Sequence, residues 1–151
     1  MTNEELTTFL SVKFPEAEFR QGSQYLEMIV TNSTLHMVAT FLKETRELAF
    51  DYLMCLSGVD FPEFLTVVYH LESTSNKHCM VLKAKTENRE KPVLDTVCDI
   101  WPTAEFHERE VFDLLGVKFN YHPDLRRLFL GDEWGFPLRK DYVDDVHIVE
   151  R

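Results

Sequence analysis

The chain has 151 residues, 44% of them hydrophobic and 28% charged, and a formal net charge of -10. That length suits one domain, and that apolar content supports a packed core rather than a disordered tail. The acidic surplus excludes general binding to phosphate backbones, which depends on lysine and arginine neutralising them.

Taken in chain order, Leu6, Phe9, Leu10 and Phe14 recur at helical spacing, which predicts a helix over 3–14 that Thr2 or Asn3 can cap. Pro15 discourages its continuation. The β-rich stretch 24–31 reads as a strand, and Asn32 or Ser33 opens a second helix to about Glu44. From Leu48 the pattern turns to strands, the first ending at Gly58 as a natural turn point, the next over 64–71 and another over 78–85, with STSNK as the hairpin turn between the last two. The polar stretch 86–92 reads as a loop, and PVLDTVCDI is compatible with either helix or extended chain. The clearest helix runs from Trp101 to Leu115, with Pro102 in its first turn and Gly116 at the left-handed stop position. A short strand or bend, VKF, follows, and then an irregular tail.

This order predicts an α+β fold in a single domain. It would hold a largely antiparallel or mixed sheet of about four to five strands, two to three packed helices and an irregular C-terminal tail. Residues 1–121 form the expected core and 122–151 the extended tail. Cys55, Cys79 and Cys98 are scattered without zinc-type spacing, which fits free thiols in a reducing compartment and no metal or iron–sulfur cluster held by this chain. The N-terminus starts acidic and lacks a signal-peptide core, and no run approaches the ~18 apolar residues of a membrane span. The expectation is a cytoplasmic chain that reaches a membrane only through partners.

The acidic excess lies mainly outside residues 101–142, where charges of both signs are dense and nearly balanced. On the 101–115 helix, Trp101, Ala104, Val111, Phe112 and Leu115 share one stripe, and Glu108 falls inside it. Glu105 lies at the edge with Arg109 further round, while Phe106, Glu110 and Asp113 lie opposite. A carboxylate on an apolar face is costly unless paired. The nearest cations in sequence, Arg126, Arg127, Arg139 and Lys140, predict a folded-back tail whose arginines meet Glu108, with Arg139 as one partner. The plainer alternative has Glu108 reaching water at the helix edge.

Catalysis finds weaker support. HERE begins like a zinc-binding H-E-x-x-H, but Val111 stands where the second His is needed. His107 and His122 with Glu110 and Asp113 could in principle act as acids and bases in a stand-alone hydrolase, for which a shared cleft is required. His122 precedes Pro123, a setting more typical of a hydrogen-bonded turn. Trp134, Phe136, Leu138 and Tyr142 interleave with Gly135, Pro137, Arg139 and Lys140, too few apolar anchors for a core of their own but typical of an interface.

Three ordered pieces carry a resemblance. Glu108-Arg109-Glu110 with Asp113, Gly116 and Phe119, then His122-Pro123-Asp124-Leu125-Arg126-Arg127, then Pro137-Leu138-Arg139-Lys140-Asp141-Tyr142 look like the signature of the C subunit of NADH–quinone oxidoreductase, the 30-kDa-subunit family of respiratory complex I. Leu56-Ser57-Gly58-Val59-Asp60 resembles a further family stretch. Two details depart from it: Trp134 stands one residue nearer the L-R-K-D segment, and Val143 replaces the proline that commonly follows the final aromatic. The resemblance implies a peripheral-arm subunit on the cytoplasmic side of the bacterial inner membrane, without catalytic, cofactor or metal residues of its own. It would pack chiefly against the quinone-site subunit and the terminal iron–sulfur-cluster subunit, with FMN, iron–sulfur clusters, NADH and quinone held elsewhere in the complex. The residues of the three pieces, together with Trp134, are then interface or structural residues. Equivalent subunits of membrane-bound hydrogenases and F420 dehydrogenases share the pattern.

Overall fold

The computed structural model describes residues 1–147. Its first element, α1 (Asn3–Lys13), opens with a reciprocal cap in which Glu5 N–H donates to Thr2 Oγ1 and Thr2 N–H donates to Glu5 Oε2. A strand not expected from the sequence, β1 (Glu18–Gln21), follows and pairs antiparallel with β2 (Leu26–Thr31) through a turn closed by Gly22 N–H on Tyr25 O at 3.0 Å. Four mostly exposed residues, EFRQ, carry no apolar alternation, so the partner strand decides the conformation of β1. Then come α2 (Asn32–Glu44), β3 (Tyr52–Asp60), β4 (Leu65–Ser73), β5 (His78–Lys85), β6 (Val93–Asp95), α3 (Ala104–Leu115) and β7 (Lys118–Asn120).

The main sheet has the order β1-β2-β5-β4-β3 and is mixed: β2 and β5 run parallel and the other neighbours antiparallel. The register aligns Met28, Leu82, Tyr69 and Leu56 across four strands. All four are buried in one core cluster with Leu6 and Leu10 of α1, Leu35, Val38 and Leu42 of α2, and Val111 and Leu115 of α3. The three helices thus stack on one layer of sheet side chains. PVLDTVCDI resolves into β6, which pairs parallel with β7 in a separate two-stranded sheet, and a turn.

Two boundaries differ from the expected ones. The clearest helix starts at Ala104, because Trp101 belongs to the preceding turn; its side chain is 1% exposed and its indole N–H donates to Phe50 O at 2.9 Å. Gly58 does not end a strand but lies within β3, where α3 crosses closest. A Cβ there would stand 2.4 Å from Leu115 Cδ1 and 3.1 Å from Val111 Cγ1. Gly58→Ala should therefore cost about 1–3 kcal/mol by forcing α3 off the sheet, read as a lower urea midpoint with an unchanged slope.

Candidate assembly interface

The helical phase of α3 sends two sets of charges in two directions, and both are buried. Towards the sheet, Glu108 is fully inaccessible. Its Oε1 accepts the Val97 N–H at 2.8 Å and its Oε2 accepts the Thr96 hydroxyl at 2.5 Å. Among the described residues, no arginine reaches it. Burial pushes its carboxyl up to about 7, only partly opposed by those two hydrogen bonds, and Asp99 adds a smaller push in the same sense. His122 Nε2 lies 3.8 Å from Glu108 Oε2, but that nitrogen sits 2.9 Å from Glu105 O, while Nδ1 accepts the Asp124 N–H at 3.0 Å. Both ring nitrogens are thus engaged by backbone groups, and His122 is a hydrogen-bonded turn residue.

The expected pairing of Glu108 with Arg139 is therefore corrected. A loop carrying Thr96 and Val97, adjacent in space but not in sequence, meets the carboxylate. Arg139 instead donates from Nε to Leu115 O at 2.7 Å, at the end of α3. The expectation of a folded-back tail holds, with a different acceptor. Asp113, on the side of α3 away from the sheet, is fully buried beneath the tail. Its Oδ2 accepts the N–H groups of Phe129 at 2.7 Å and Leu130 at 3.2 Å, and its Oδ1 lies 3.3 Å from Arg127 Nη1.

Arg127 also donates to the carbonyls of Asp113, Gly135 and Trp134, at 3.1, 2.9 and 2.6 Å. From the helix side, Arg109 returns two bonds, to the carbonyls of Arg126 and Arg127. The guanidinium groups of Arg127 and Arg139 each lie over the Phe136 ring, 5.2 and 5.1 Å from its centroid. Gly116 makes this packing possible: its φ is +78°, and a Cβ would approach the Phe136 ring to 2.6 Å. Arg127, Arg139 and the Leu138 N–H thus satisfy the carbonyls of Asp113, Leu115 and Leu114 at the end of α3, where intrahelical partners run out.

A second clamp joins three separated segments. Asp60, at the end of β3 and 4% exposed, accepts the Lys140 N–H at 2.9 Å and is bridged by Arg89 from the 86–92 loop. The same guanidinium holds both carboxylate oxygens of Asp141 at 3.1 Å and keeps that carboxyl below its usual range. Asp60 closes the Leu56–Asp60 stretch that resembles the family, but neither it nor Arg89 is expected from the sequence as a site residue. For Arg89 the signal is a lone arginine within TENREKP, and nothing local says what it faces.

Other residues of the three pieces occupy the outer side. Lys140 and Asp141 are exposed, Asp124 pairs with Arg126 at 3.0 Å in solvent, and Pro123 is exposed. Glu110, Trp134, Pro137 and Tyr142 are half-buried. Beside them stand bare apolar side chains: Phe129 is 68% exposed, Leu138 59% and Val143 82%. The four groups of a hydrolase reading do not assemble, since Asp113 is committed to the tail amides and His122 to its own turn. Among the described residues, no three His, Cys, Asp or Glu side chains are grouped to hold a metal ion, and no helix is long and apolar enough to cross a membrane.

The profile of one protein family, described as respiratory-chain NADH dehydrogenase, 30 Kd subunit, matches residues 28–146. The chain belongs to this 30 Kd subunit family. Within it, the C subunit of an NADH-quinone oxidoreductase from Moorella thermoacetica is 39% identical over 132 residues, covering 85% of this chain and 87% of that protein. A C/D subunit from Phocaeicola vulgatus is 54% identical over 99 residues, 64% of this chain but 19% of that protein. A C subunit from Chloroherpeton thalassium is 44% identical over 114 residues, 73% of this chain and 47% of that protein. This family member thus spans from about a fifth to about two thirds of the first curated relatives it matches. Among solved structures, a chain of the membrane-bound sulfane sulfur reductase, an archaeal respiratory membrane complex, superposes with a TM-score of 0.78 at 27% identity, over 95% of this chain and 86% of that one. The match to the family takes in α3, Arg89 and the tail as far as residue 146, so both clamps lie inside the family's common region.

Proposed function

We propose that the chain is a structural subunit of the peripheral arm of a proton-pumping NADH–quinone oxidoreductase, on the cytoplasmic side of the membrane. It packs chiefly against the quinone-site subunit and the terminal iron–sulfur-cluster subunit, and the chemistry belongs to FMN, iron–sulfur clusters, NADH and quinone held by other subunits. Residues 1–121 act as the α+β core and 122–151 as a tail of the same domain that presents the interface; residues 148–151 lie outside the described part. The observation that carries this reading is the division of labour in the tail. Its buried polar groups hold it to α3, while its apolar side chains face outward, where their exposure offsets nothing in the isolated chain.

The same division changes which residues test the idea. Arg139 clamps the tail to its own domain, so replacing it would disturb the chain before any partner. Leu138 and Phe129 make no such clamp through their side chains. Leu138→Asp with Phe129→Asp should leave the thermal midpoint of the isolated chain within about 2 °C, since exposed sites contribute little. Recovery of the quinone-site subunit on affinity purification from native membranes should fall at least about tenfold. Equal recovery with wild type would refute the interface role.

A second reading, as the equivalent subunit of another membrane-bound reductase, draws on the fold shared with the sulfane sulfur reductase chain. Mass spectrometry of the purified assembly separates the two. An NADH-binding subunit among the co-eluting proteins supports the first and excludes the second.

A further inference from the structure

A cavity of about 660 Å³ opens at the N-terminal end of α3, away from both clamps. Pro102, Tyr121 and Pro123 contribute apolar wall, and Asp95, Asp99 and Glu105 bring carboxylates to it. Two of these already have a partner: Asp95 accepts from the Asn120 side chain at 3.1 Å, and Asp99 lies 2.8 Å from His36 Nε2. The carboxylate of Glu105 has no hydrogen-bond partner among the described residues; His122 meets only its backbone carbonyl. The i+4 cation that could have neutralised it, Arg109, is turned to the carbonyls of Arg126 and Arg127. Three acidic residues and one histidine thus line the cavity together with its apolar wall.

Tyr121 adds a second and independent feature. Its φ is +65°, a left-handed conformation that aromatic residues rarely adopt, and its side chain is 86% exposed. The turn therefore holds an aromatic ring in water beside a negatively charged hollow, an arrangement complementary to a flat cation. Guanidinium fits better than ammonium, because it can stack on a ring and fork onto a carboxylate at once.

We propose that this cavity seats an arginine side chain presented by a partner protein, with its guanidinium against Tyr121 and paired to Glu105 and Asp99. The proposal rests on the assembly reading for the partner, and on the cavity alone for the chemistry. Two measurements test these separately. In the isolated chain, N-acetylarginine methylamide should shift the NMR signals of Tyr121 and Glu105 with a millimolar Kd. N-acetylcitrulline methylamide, of the same shape but neutral, should bind at least about fivefold more weakly, and Glu105→Gln with Asp99→Asn should remove the difference. Equal binding of the two amides, or no binding of either, overturns the cavity chemistry.

In the assembly purified from native membranes, p-benzoylphenylalanine placed at position 121 should cross-link to a partner peptide with an arginine within about three residues of the attachment point. A cross-link to a segment without a basic residue, or none in an intact assembly, overturns the seat while leaving the assembly reading standing. If the chain co-purifies with no respiratory subunit, the assembly reading and the partner seat fall together, and the amide titration still decides what the cavity binds.

Discussion

Glu108→Gln should make the protein more stable at pH 8 and about equally stable at pH 5. The folded carboxyl titrates near 7 against an ordinary value of 4.5, because burial outweighs its two hydrogen bonds and, among the described residues, no lysine or arginine pairs with it. The folded chain therefore keeps a proton that the unfolded chain has lost between those two values. By linkage, the contribution of Glu108 is most favourable below 4.5, declines as pH rises towards 7, and stays at its least favourable above that. The gap corresponds to about 3 kcal/mol. Glutamine is neutral throughout; its oxygen can keep the Val97 N–H and its amide can donate to Thr96 Oγ1. Urea unfolding at pH 5, 6, 7 and 8 should show the variant gaining on wild type by about 1–3 kcal/mol across that range. A difference that stays constant with pH, or that shrinks, would mean that Glu108 is not a strained group.

The opposite outcome is expected on the other side of the same helix. Asp113→Ala removes the acceptor of two backbone N–H groups and of Arg127, all beneath the tail. Loss of one partner from a buried, hydrogen-bonded charge pair costs about 3–5 kcal/mol. Much of that cost falls on the tail, because the tail's other bonds to α3 are also polar and few of its apolar residues are buried. Hydrogen exchange should show the Phe129 and Leu130 amides losing protection while those of Tyr69 and Leu82, in central strands, keep theirs. Trypsin should cut after Arg126 and Arg127 at rates at least about tenfold higher. Asp113→Asn keeps an acceptor oxygen and should fall between the two. If the Phe129 and Leu130 amides exchange as slowly in Asp113→Ala as in wild type, Asp113 is not the anchor of the tail.

Together the two carboxylates show what the dense charged block does within this chain. Asp113 and Arg127 hold the tail against α3, and in the assembly proposed above a tail already held in shape would lower the ordering cost of association. Glu108 ties α3 to the loop carrying Thr96 and Val97, which forms part of the wall of the acidic cavity. The exposed apolar side chains Phe129, Leu138 and Val143 are the groups proposed to meet a neighbour.

Much of this was legible in the residues themselves. Apolar periodicity placed α1, α2 and α3, the β-rich runs placed β2, β4 and β5, and Gly116 marked the end of α3, because these features depend on neighbours three or four positions away or fewer. The phase of α3 likewise located Glu108 on the apolar stripe. Other features required distant chain. β1 exists because β2 lies beside it, and Gly58 is needed where α3 crosses β3 rather than where a strand turns. The opposite side of α3, which periodicity alone leaves open to water, is roofed by the tail, and so Asp113 is as buried as Glu108.

The amino-acid sequence by itself determined which segments become helices and strands, that the tail must lean on something other than a core of its own, and that the charges around α3 need partners. Only the tertiary structure decided who those partners are: Thr96 and Val97 for Glu108, Arg127 for Asp113, Asp60 and Asp141 for Arg89. The physical reason is range. Backbone conformation follows mostly from local sterics and spacing, whereas a buried charge is satisfied by whatever donor the completed fold brings within about 3 Å, and that donor can come from anywhere in the chain.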